Sequence, residues 1–443
     1  MPEITPQIPR GFRDFLPDKL IHRQTIINTL RRCFESFGFQ PLETPTLEYA
    51  ETLEGKYGQE GEKLIYKFED KGGRRLALRY DLTIPLSRVV GMYPELVKPF
   101  KRYQISPVWR ADKPQKGRFR EFWQCDVDIV GTRSILADAE IVAIIFTVLN
   151  RLGFERFTIR INNRKLLNGI IIWGGIDENN SAEFLRSLDK LSQFDSEAVQ
   201  KELRDKGFSE TAIERFFSIL EDCREKDKAL GRLKGQVSSI PSAAEGIQEL
   251  EALFQCLDNF RIPSKNVVFD ISLARGLDYY TGIIHETVVQ EPRIGSITGG
   301  GRYDNLISLF SGSSVPATGA SFGLERICAV MEELSMLPPS FTSTQVLITL
   351  FSHEFLSTIS DLATQLRSTG INTEIYLQDD RLKKQLAYAN SKAIPWVLIM
   401  GPDEIKKGIC ILRNMMRGVQ EEIPLGRVDE TVRRIEALLQ DRS

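Results

Sequence analysis

Apolar and polar positions repeat along the chain with two periods, and the changes of period divide it. Ile26, Ile27, Leu30, Phe34 and Phe37 recur at helical spacing, so residues 19–37 read as a helix with Asp18 as N-cap and Gly38 placed to end it. The FQPLETPTLEYAETL that follows holds Pro41 and Pro45 in an extended segment, which reads either as an edge strand or interface rim or as a plain loop. From about 76 to 130, short apolar runs alternate with charged turns in RRLALRYDLTIPLSRVV and FREFWQCDVDIVG, the pattern of antiparallel strands with a helix between them. Ser134–Leu152 reads as a largely buried helix stopped at Gly153.

The text then changes. Residues 181–260 are charged, leucine-spaced helices with few strand signals, a helical insertion. Strand character returns in NVVFDISLARGLDYYTGIIHETVV, a glycine cluster follows, and a helix opens near Phe322. The Pro- and Ser-rich SMLPPSFTSTQ, about 335–345, reads as a linker. Beyond it VLITLF, TEIYL, WVLIM and GICILRNM alternate with helices over 354–369, 381–391 and 428–440, a small α/β unit.

Composition narrows the class. A chain of 443 residues exceeds the roughly 250–300 that one core spans, so two or three domains are expected. With 42% hydrophobic and 27% charged residues and a net charge of -2, it is globular, and a nucleic-acid partner would need a local basic surface. Residues 343–443 hold 13 Lys+Arg against 13 Asp+Glu, which is no basic clamp. The six cysteines (33, 125, 223, 256, 328, 410) are scattered without metal-ligand spacing and read as reduced thiols. MPEITPQIPRGFRDFLPDKL has no apolar leader core, and nowhere do 18 apolar residues run together, so a cytoplasmic location is expected.

Four segments carry candidate chemistry. In residues 101–120, seven Lys/Arg face one acidic residue. A solvated charged loop is the plainer reading of such a run, but two strand-like stretches flank Pro114 and Gly117, so Arg110 and Arg118 can point inward from a hairpin. In DISLARGLDYYTG, a strand would put Tyr279 and Tyr280 on opposite faces with Arg275 on the side of Tyr279. An arginine within an apolar run needs an anion, supplied by a ligand or by Asp278. In GSITGGGRYDNL, Gly299–Gly301 permit close approach of a ligand or of another strand. In TGASFGLERICAV, small residues precede a helix carrying Arg326, so helix and arginine can both engage phosphate; out of context Arg326 is an ordinary surface arginine. There is no nucleophile motif around His22, His285 or His353, and no GxxxxGK[ST]. The inventory suits phosphate chemistry by electrostatics.

These segments resemble a known family. WRADKPQKGRFREFWQ looks like motif 2 of class II aminoacyl-tRNA synthetases, ASFGLER like motif 3 and ETPTLE like motif 1. ARGLDYYTG and GGGRYDNL are similar to signatures of histidyl-tRNA synthetases, and LRYDLT resembles that family's amino-acid-binding segment. The resemblance runs from PRGFRDFLP to the C-terminal domain and is weakest over about 165–255. It implies an α+β fold: a class II antiparallel sheet flanked by helices as a catalytic domain over 1–335, a helical insertion at about 165–255, and a C-terminal α/β anticodon-binding domain over 343–443. A homodimer through motif 1 is implied as well.

The implied reaction joins the carboxylate of L-histidine to the α-phosphate of ATP, releasing pyrophosphate, and then passes histidine from the adenylate to the terminal ribose of tRNA(His). Both steps need positioning and charge stabilisation more than a nucleophile. By resemblance, Arg110 contacts the α-phosphate, Arg326 the γ-phosphate, and Arg275 stabilises charge at the reacting carboxylate and phosphate. A guanidinium suits this because its fork is fixed and always charged. Asp112, Arg118 and Gln124 complete the ATP site, and magnesium is expected between the phosphates. Asp81, Thr83 and Gln124 match positions that hold the α-amino group, with Leu82 in the same segment. Asp128 and Tyr280 match those that read the imidazole, and Tyr279 and Tyr303 line the same pocket. Lys113 and Lys116 are candidates for contact with the acceptor end. Asp112 stands where many members have glutamate, and His285 where a bulky apolar or aromatic residue is commoner. The alternative is a non-catalytic paralogue acting as regulatory subunit of ATP phosphoribosyltransferase; its usual mark is loss of catalytic arginines and of the C-terminal domain, and both are present here.

Overall fold

In the computed structural model the described residues are 5–115, 117–177, 180–188, 195–223, 226–274, 279–292, 294–337 and 342–425, with 430, 433 and 437 beyond. They fall into two units, residues 1–13 with 25–336, and residues 14–24 with 337–443. In chain order the strands of the first unit are β1 (Gln40–Pro41), β2 (Leu47–Tyr49), β3 (Lys67–Glu69), β4 (Arg75–Leu78), β5 (Phe100–Trp109), β6 (Glu121–Val130), β7 (Phe157–Asn163), β8 (Val267–Phe269), β9 (Ile283–Val289), β10 (Thr298–Arg302) and β11 (Ala317–Gly323).

Eight of them form one sheet in the order β1-β5-β6-β11-β10-β9-β7-β8, antiparallel except for the parallel end pairs β1/β5 and β7/β8. Pro41 thus sits on an edge strand, where its missing N–H costs no ladder bond. β2, β4 and β3 make a separate three-stranded sheet. The helix Ile135–Arg151, whose Ser134 accepts from the Leu136 amide, packs on β11, β10 and β6, and Gly153 follows it at φ +84°. Arg302 of β10 meets Asp138 of this helix in a buried ion pair. Residues directly opposite across the strands share a face, so Gln124, Asp126 and Asp128 of β6 project from the side opposite that helix.

The expected insertion is a set of helices, Arg164–Trp173, Ser181–Leu188, Ser196–Asp205, Glu210–Asp222, Lys226–Val237 and Pro241–Asn259, with Asn163, Asp195 and Ser209 capping three of them. The second unit has a five-stranded sheet in the order β13-β12-β14-β15-β16, from β12 (Val346–Ile348), β13 (Thr373–Ile375), β14 (Trp396–Ile399), β15 (Ile409–Asn414) and β16 (Gln420–Pro424). β12 runs parallel to β13 and β14, and helices Leu356–Ser368 and Leu382–Ser391 connect them. The helix expected over 428–440 lies outside the described residues except at isolated positions. No helix among the described residues is long and apolar enough to cross a membrane.

Some expected boundaries move. The first helix spans Pro17–Ser36, so Asp18 lies inside its first turn and is no cap; proline's fixed φ suits a helix start. Phe322 lies within β11, paired with Cys125 and Thr298, and the helix begins only at Leu324. The expected strand through DISLARGLDYYTG stops at Phe269. Asp270 turns the chain there, its carboxylate accepting from the Ser272 amide and its carbonyl from the Leu273 amide. Tyr279 and Tyr280 therefore lie outside any strand, and their rings meet edge to face with centroids 5.0 Å apart, not on opposite faces.

Candidate active site

The hairpin of β5 and β6 and the glycine-rich β10 and β11 enclose two joined cavities. The larger, about 450 Å³, is lined by Arg110, Asp112, Arg118, Phe122, Glu286, Ser296, Glu325 and Arg326 among others. The smaller, about 90 Å³, is lined by Asp81, Thr83, Asp126, Asp128, Tyr279, Tyr280 and Tyr303. Arg110, Gln124, Tyr280, Gly299, Gly300 and Ser321 line both, and mark the junction.

Arg110 is held there by its surroundings. Its Nε donates to the Tyr80 carbonyl at 3.1 Å, and its guanidinium lies over the rings of Tyr80 and Phe122, 4.3 Å and 5.0 Å from their centroids. An always-charged, planar donor is thereby fixed before any substrate arrives. In the loop beyond it, Arg118 forks onto Asp112 with bonds of 2.8 and 3.0 Å, and Gln115 and Arg118 close a short bridge. Arg326 projects from the helix Leu324–Glu333 and donates to the Ser296 carbonyl at 2.7 Å, so it faces the cavity and is no surface arginine. Three guanidinium groups thus converge on the larger cavity, a fit for a polyphosphate.

The smaller cavity is acidic and aromatic. Asp81 precedes the helix Thr83–Met92, accepts from the Ile84 amide at 3.0 Å and takes the Tyr57 hydroxyl at 3.2 Å. Its Oδ2 has no hydrogen-bond partner, and burial raises its pKa against those bonds and Arg110. Asp128 is paired with the fully buried Arg102 at 2.8 Å and accepts the Tyr303 hydroxyl. Burial nonetheless pushes its pKa up. Asp126, two residues along the same face, is pushed up to about 7, by burial first and by the neighbouring Asp128. Burial and these carboxylates also hold Tyr279, Tyr280 and Tyr303 protonated. Gln124 donates to Ser321 at 2.9 Å and keeps Oε1 without a partner.

The glycines act by close approach. A Cβ on Gly319 would lie 2.0 Å from Asp128 Oδ1, and one on Gly300 would lie 2.1 Å from the Gly319 carbonyl oxygen and 2.8 Å from His285 Cε1. His285 pairs with Gly300 across the sheet, is 4% exposed, and is held near pKa 4 by burial, hence neutral.

Of the residues picked from sequence, Asp81, Thr83, Arg110, Gln124, Asp128, Tyr279, Tyr280 and Tyr303 meet at the smaller cavity, and Arg110, Asp112, Arg118, Gln124 and Arg326 at the larger. Leu82 is buried beside them, its carbonyl accepting from Arg102 and from the Leu86 amide. Arg275, Lys116 and Asp278 lie outside the described residues. Sequence reasoning missed Arg102, Tyr57, Phe122, Glu286, Glu325 and Asp126. Asp126 was within reach, since Gln124, Asp126 and Asp128 alternate with apolar residues at period two. Tyr57 comes from a segment with no sequence signal toward the site, and Arg102 was not singled out within the basic run of residues 101–120.

Comparison with known proteins gives a family model described as histidyl-tRNA synthetase over residues 11–327 and one described as anticodon binding domain over 345–435. A histidine–tRNA ligase of Cytophaga hutchinsonii is 40% identical, covering 97% of this chain and 99% of its own. That of Porphyromonas gingivalis is 42% identical over 95% and 97%. The crystal structure of histidyl-tRNA synthetase from Nostoc sp. PCC 7120 matches with a TM-score of 0.86 and 32% identity, over 98% of this chain and 100% of that one. A structure from Bacillus halodurans described as an ATP phosphoribosyltransferase regulatory subunit/histidyl-tRNA synthetase, 23% identical with a TM-score of 0.74, shares the fold.

Proposed function

The chain belongs to the histidyl-tRNA synthetase family and is a histidine–tRNA ligase, and from that premise we propose how its two joined cavities divide the work. It activates L-histidine with ATP to histidyl-adenylate and pyrophosphate, then transfers histidine to the 3' end of its tRNA. The larger cavity takes ATP and the smaller takes histidine. The observation that carries this division is the junction: Arg110 and Gln124 line both cavities, where the histidine carboxylate must meet the α-phosphate.

In this arrangement Asp81 and Thr83 hold the α-ammonium, with Gln124 beside them, and Asp128 and Tyr280 read the imidazole. Tyr279 and Tyr303 close the pocket, and Leu82 supports it. The carboxylate points to Arg110, which neutralises charge as the carboxylate oxygen attacks phosphorus and pyrophosphate leaves. Arg326 takes the γ-phosphate, while Asp112 and Arg118 border the adenine side. Arg275, placed by resemblance alone, stabilises charge at the same junction. The carboxylates of Glu286 and Glu325 at the larger cavity are hard-oxygen donors suited to magnesium. No cluster of three or more metal-binding side chains occurs among the described residues, so the ion would rest mainly on phosphates and water, where it neutralises charge.

Residues 1–335 are assigned to catalysis and 343–443 to the anticodon, with Lys113 and Lys116 toward the acceptor end. A homodimer through motif 1 is supported by the exposed apolar side chains Leu47, Tyr49 and Phe68 on the three-stranded sheet. A cytoplasmic site of action accords with the family. The regulatory-subunit reading is less supported, because Arg110 and Arg326 line the cavity and a second unit is present.

The test is histidine-dependent ATP–pyrophosphate exchange followed by charging of tRNA. Arg110→Ala should lower exchange by about 10²–10³-fold, the usual cost of one charge-stabilising donor, and Arg275→Ala should lower it greatly, each with histidine binding still measurable. Normal exchange in either variant refutes that residue's role.

A further inference from the structure

The small cavity holds one more carboxylate than the recognition of histidine has so far used. Asp126 is 2% exposed, lines the cavity, and its Oδ1 has no hydrogen-bond partner. Its cross-strand neighbours are Gln104 and Ser321, both uncharged, whereas Asp128 is ion-paired with Arg102 and accepts the Tyr303 hydroxyl, its Oδ2 also having no hydrogen-bond partner. Ser321 hydrogen-bonds the Asp126 carboxyl, but a buried carboxylate oxygen left without a donor is costly and is kept where a ligand completes it. Next in the row beyond Ser321 comes Gly299, which has no side chain to fill the space.

The geometry of the strand suggests what completes it. Asp126 and Asp128 stand two residues apart on one face, about 6.6 Å along the strand, and so can flank a small ring from two sides. An imidazole carries its nitrogens on separate edges. The neutral ring offers one N–H and one lone pair, and only the imidazolium offers two N–H donors. Between two carboxylates, the neutral ring would set a lone pair against an anion. We propose that Asp126 is a second imidazole-reading carboxylate, so that the pocket takes histidine as the imidazolium with one N–H on Asp128 and the other on Asp126. This rests on the assignment of the small cavity to histidine.

The proton is already on hand. Among the described residues, the charged and titratable groups facing Asp126 are Asp128 on its own strand, Arg102 on β5, Asp81 before the Thr83–Met92 helix, and Tyr280 and Tyr303. Burial and Asp128 together hold the Asp126 carboxyl near 7. When neutral histidine enters, the O–H bond of Asp126 breaks, an N–H bond forms on the ring nitrogen, and the two new charges pair. Above pH 7 neither Asp126 nor free histidine carries that proton, and it must come from water.

The experiment measures histidine KM and kcat in ATP–pyrophosphate exchange from pH 6 to 9 for the wild type, Asp126→Asn and Asp128→Asn. The wild-type KM should rise above pH 7 by about tenfold per unit. Asp126→Asn should raise KM at pH 7 by about tenfold or more, the worth of a hydrogen bond to a charged group, change kcat little, and flatten the slope. Wild-type KM and slope in Asp126→Asn would overturn the proposal. An impaired Asp128→Asn beside a normal Asp126→Asn sinks this proposal alone, whereas a normal Asp128→Asn sinks the placement of histidine. Calorimetry of histidine binding to the wild type at pH 8.5, in two buffers of different ionisation enthalpy, needs no variant: uptake of about one proton is expected, and no uptake overturns the proposal.

Discussion

Removing the charge of Asp126 should stabilise the free protein while it impairs the enzyme, and the size of the gain follows from burial. The carboxyl titrates near 3.8 when unfolded and near 7 when folded, chiefly because burial disfavours its anion. The unfolded chain releases this proton as the pH rises through 3.8, and the folded chain keeps it until about 7. Between those values the folded state binds more protons, so the wild type loses stability as pH rises, and above 7 the loss is complete. Three pKa units correspond to at most about 4 kcal/mol. Asp126→Asn is isosteric and cannot ionise, so its advantage should be about 1–2 kcal/mol at pH 5 and at most about 4 kcal/mol at pH 8. Thermal or urea unfolding of wild type and variant at the two pH values, without substrates, reads the difference. An advantage that is equal at pH 5 and pH 8, or a variant less stable at pH 8, would refute the burial argument.

Two further outcomes test the frame around the site. Arg302→Met should cost about 3–5 kcal/mol, because it leaves Asp138 charged and buried without its partner; a melting temperature within a degree of wild type would show that the pair holds nothing in place. Gly300→Ala puts a Cβ 2.1 Å from the Gly319 carbonyl and 2.8 Å from the Ala320 Cα, both backbone atoms that cannot swing aside. Poor recovery of folded protein or a sharply lower melting temperature is expected, and a variant as stable as wild type would show that the strands separate easily.

What was legible in sequence was whatever repeats locally. The β5/β6 hairpin announced itself by two apolar runs around Pro114 and Gly117, and with it came Arg110, Arg118 and Asp112. The helix after Ser134 and the α/β alternation beyond residue 345 were equally plain. Tyr279 and Tyr280 were misread as strand because their apolar neighbours look like one, while the turn at Asp270 depends on its own hydrogen bonds. Arg102 looked like part of a basic run, yet it is fully buried, because β5 lies between β1 and β6 and its partner Asp128 comes from the next strand. Periodicity gives the face a residue shares and not what stands opposite. Tyr57 shows the same limit from the other side: only the approach of its loop to Asp81 makes it part of the site.

The charge balance of the small cavity links these observations. Among the described residues, Asp81, Asp126 and Asp128 bring three carboxylates, and Arg102 and Arg110 bring two fixed positive charges. One proton balances these described groups, and Asp126 is a carboxyl among them that is pushed up to about 7 by burial and whose Oδ1 has no hydrogen-bond partner. Histidine restores the balance differently, bringing an ammonium to Asp81 and a ring that accepts the stored proton, while its own carboxylate turns to Arg110 at the junction. An amino acid of similar size without two ring nitrogens would leave Asp126 protonated and Asp128 short of a donor, and unpaired buried polar groups can cost about 10⁴–10⁵ in discrimination. On this argument selectivity for histidine arises from the instability of the empty pocket, and a variant that relieves that instability at Asp126 must also relax the selectivity.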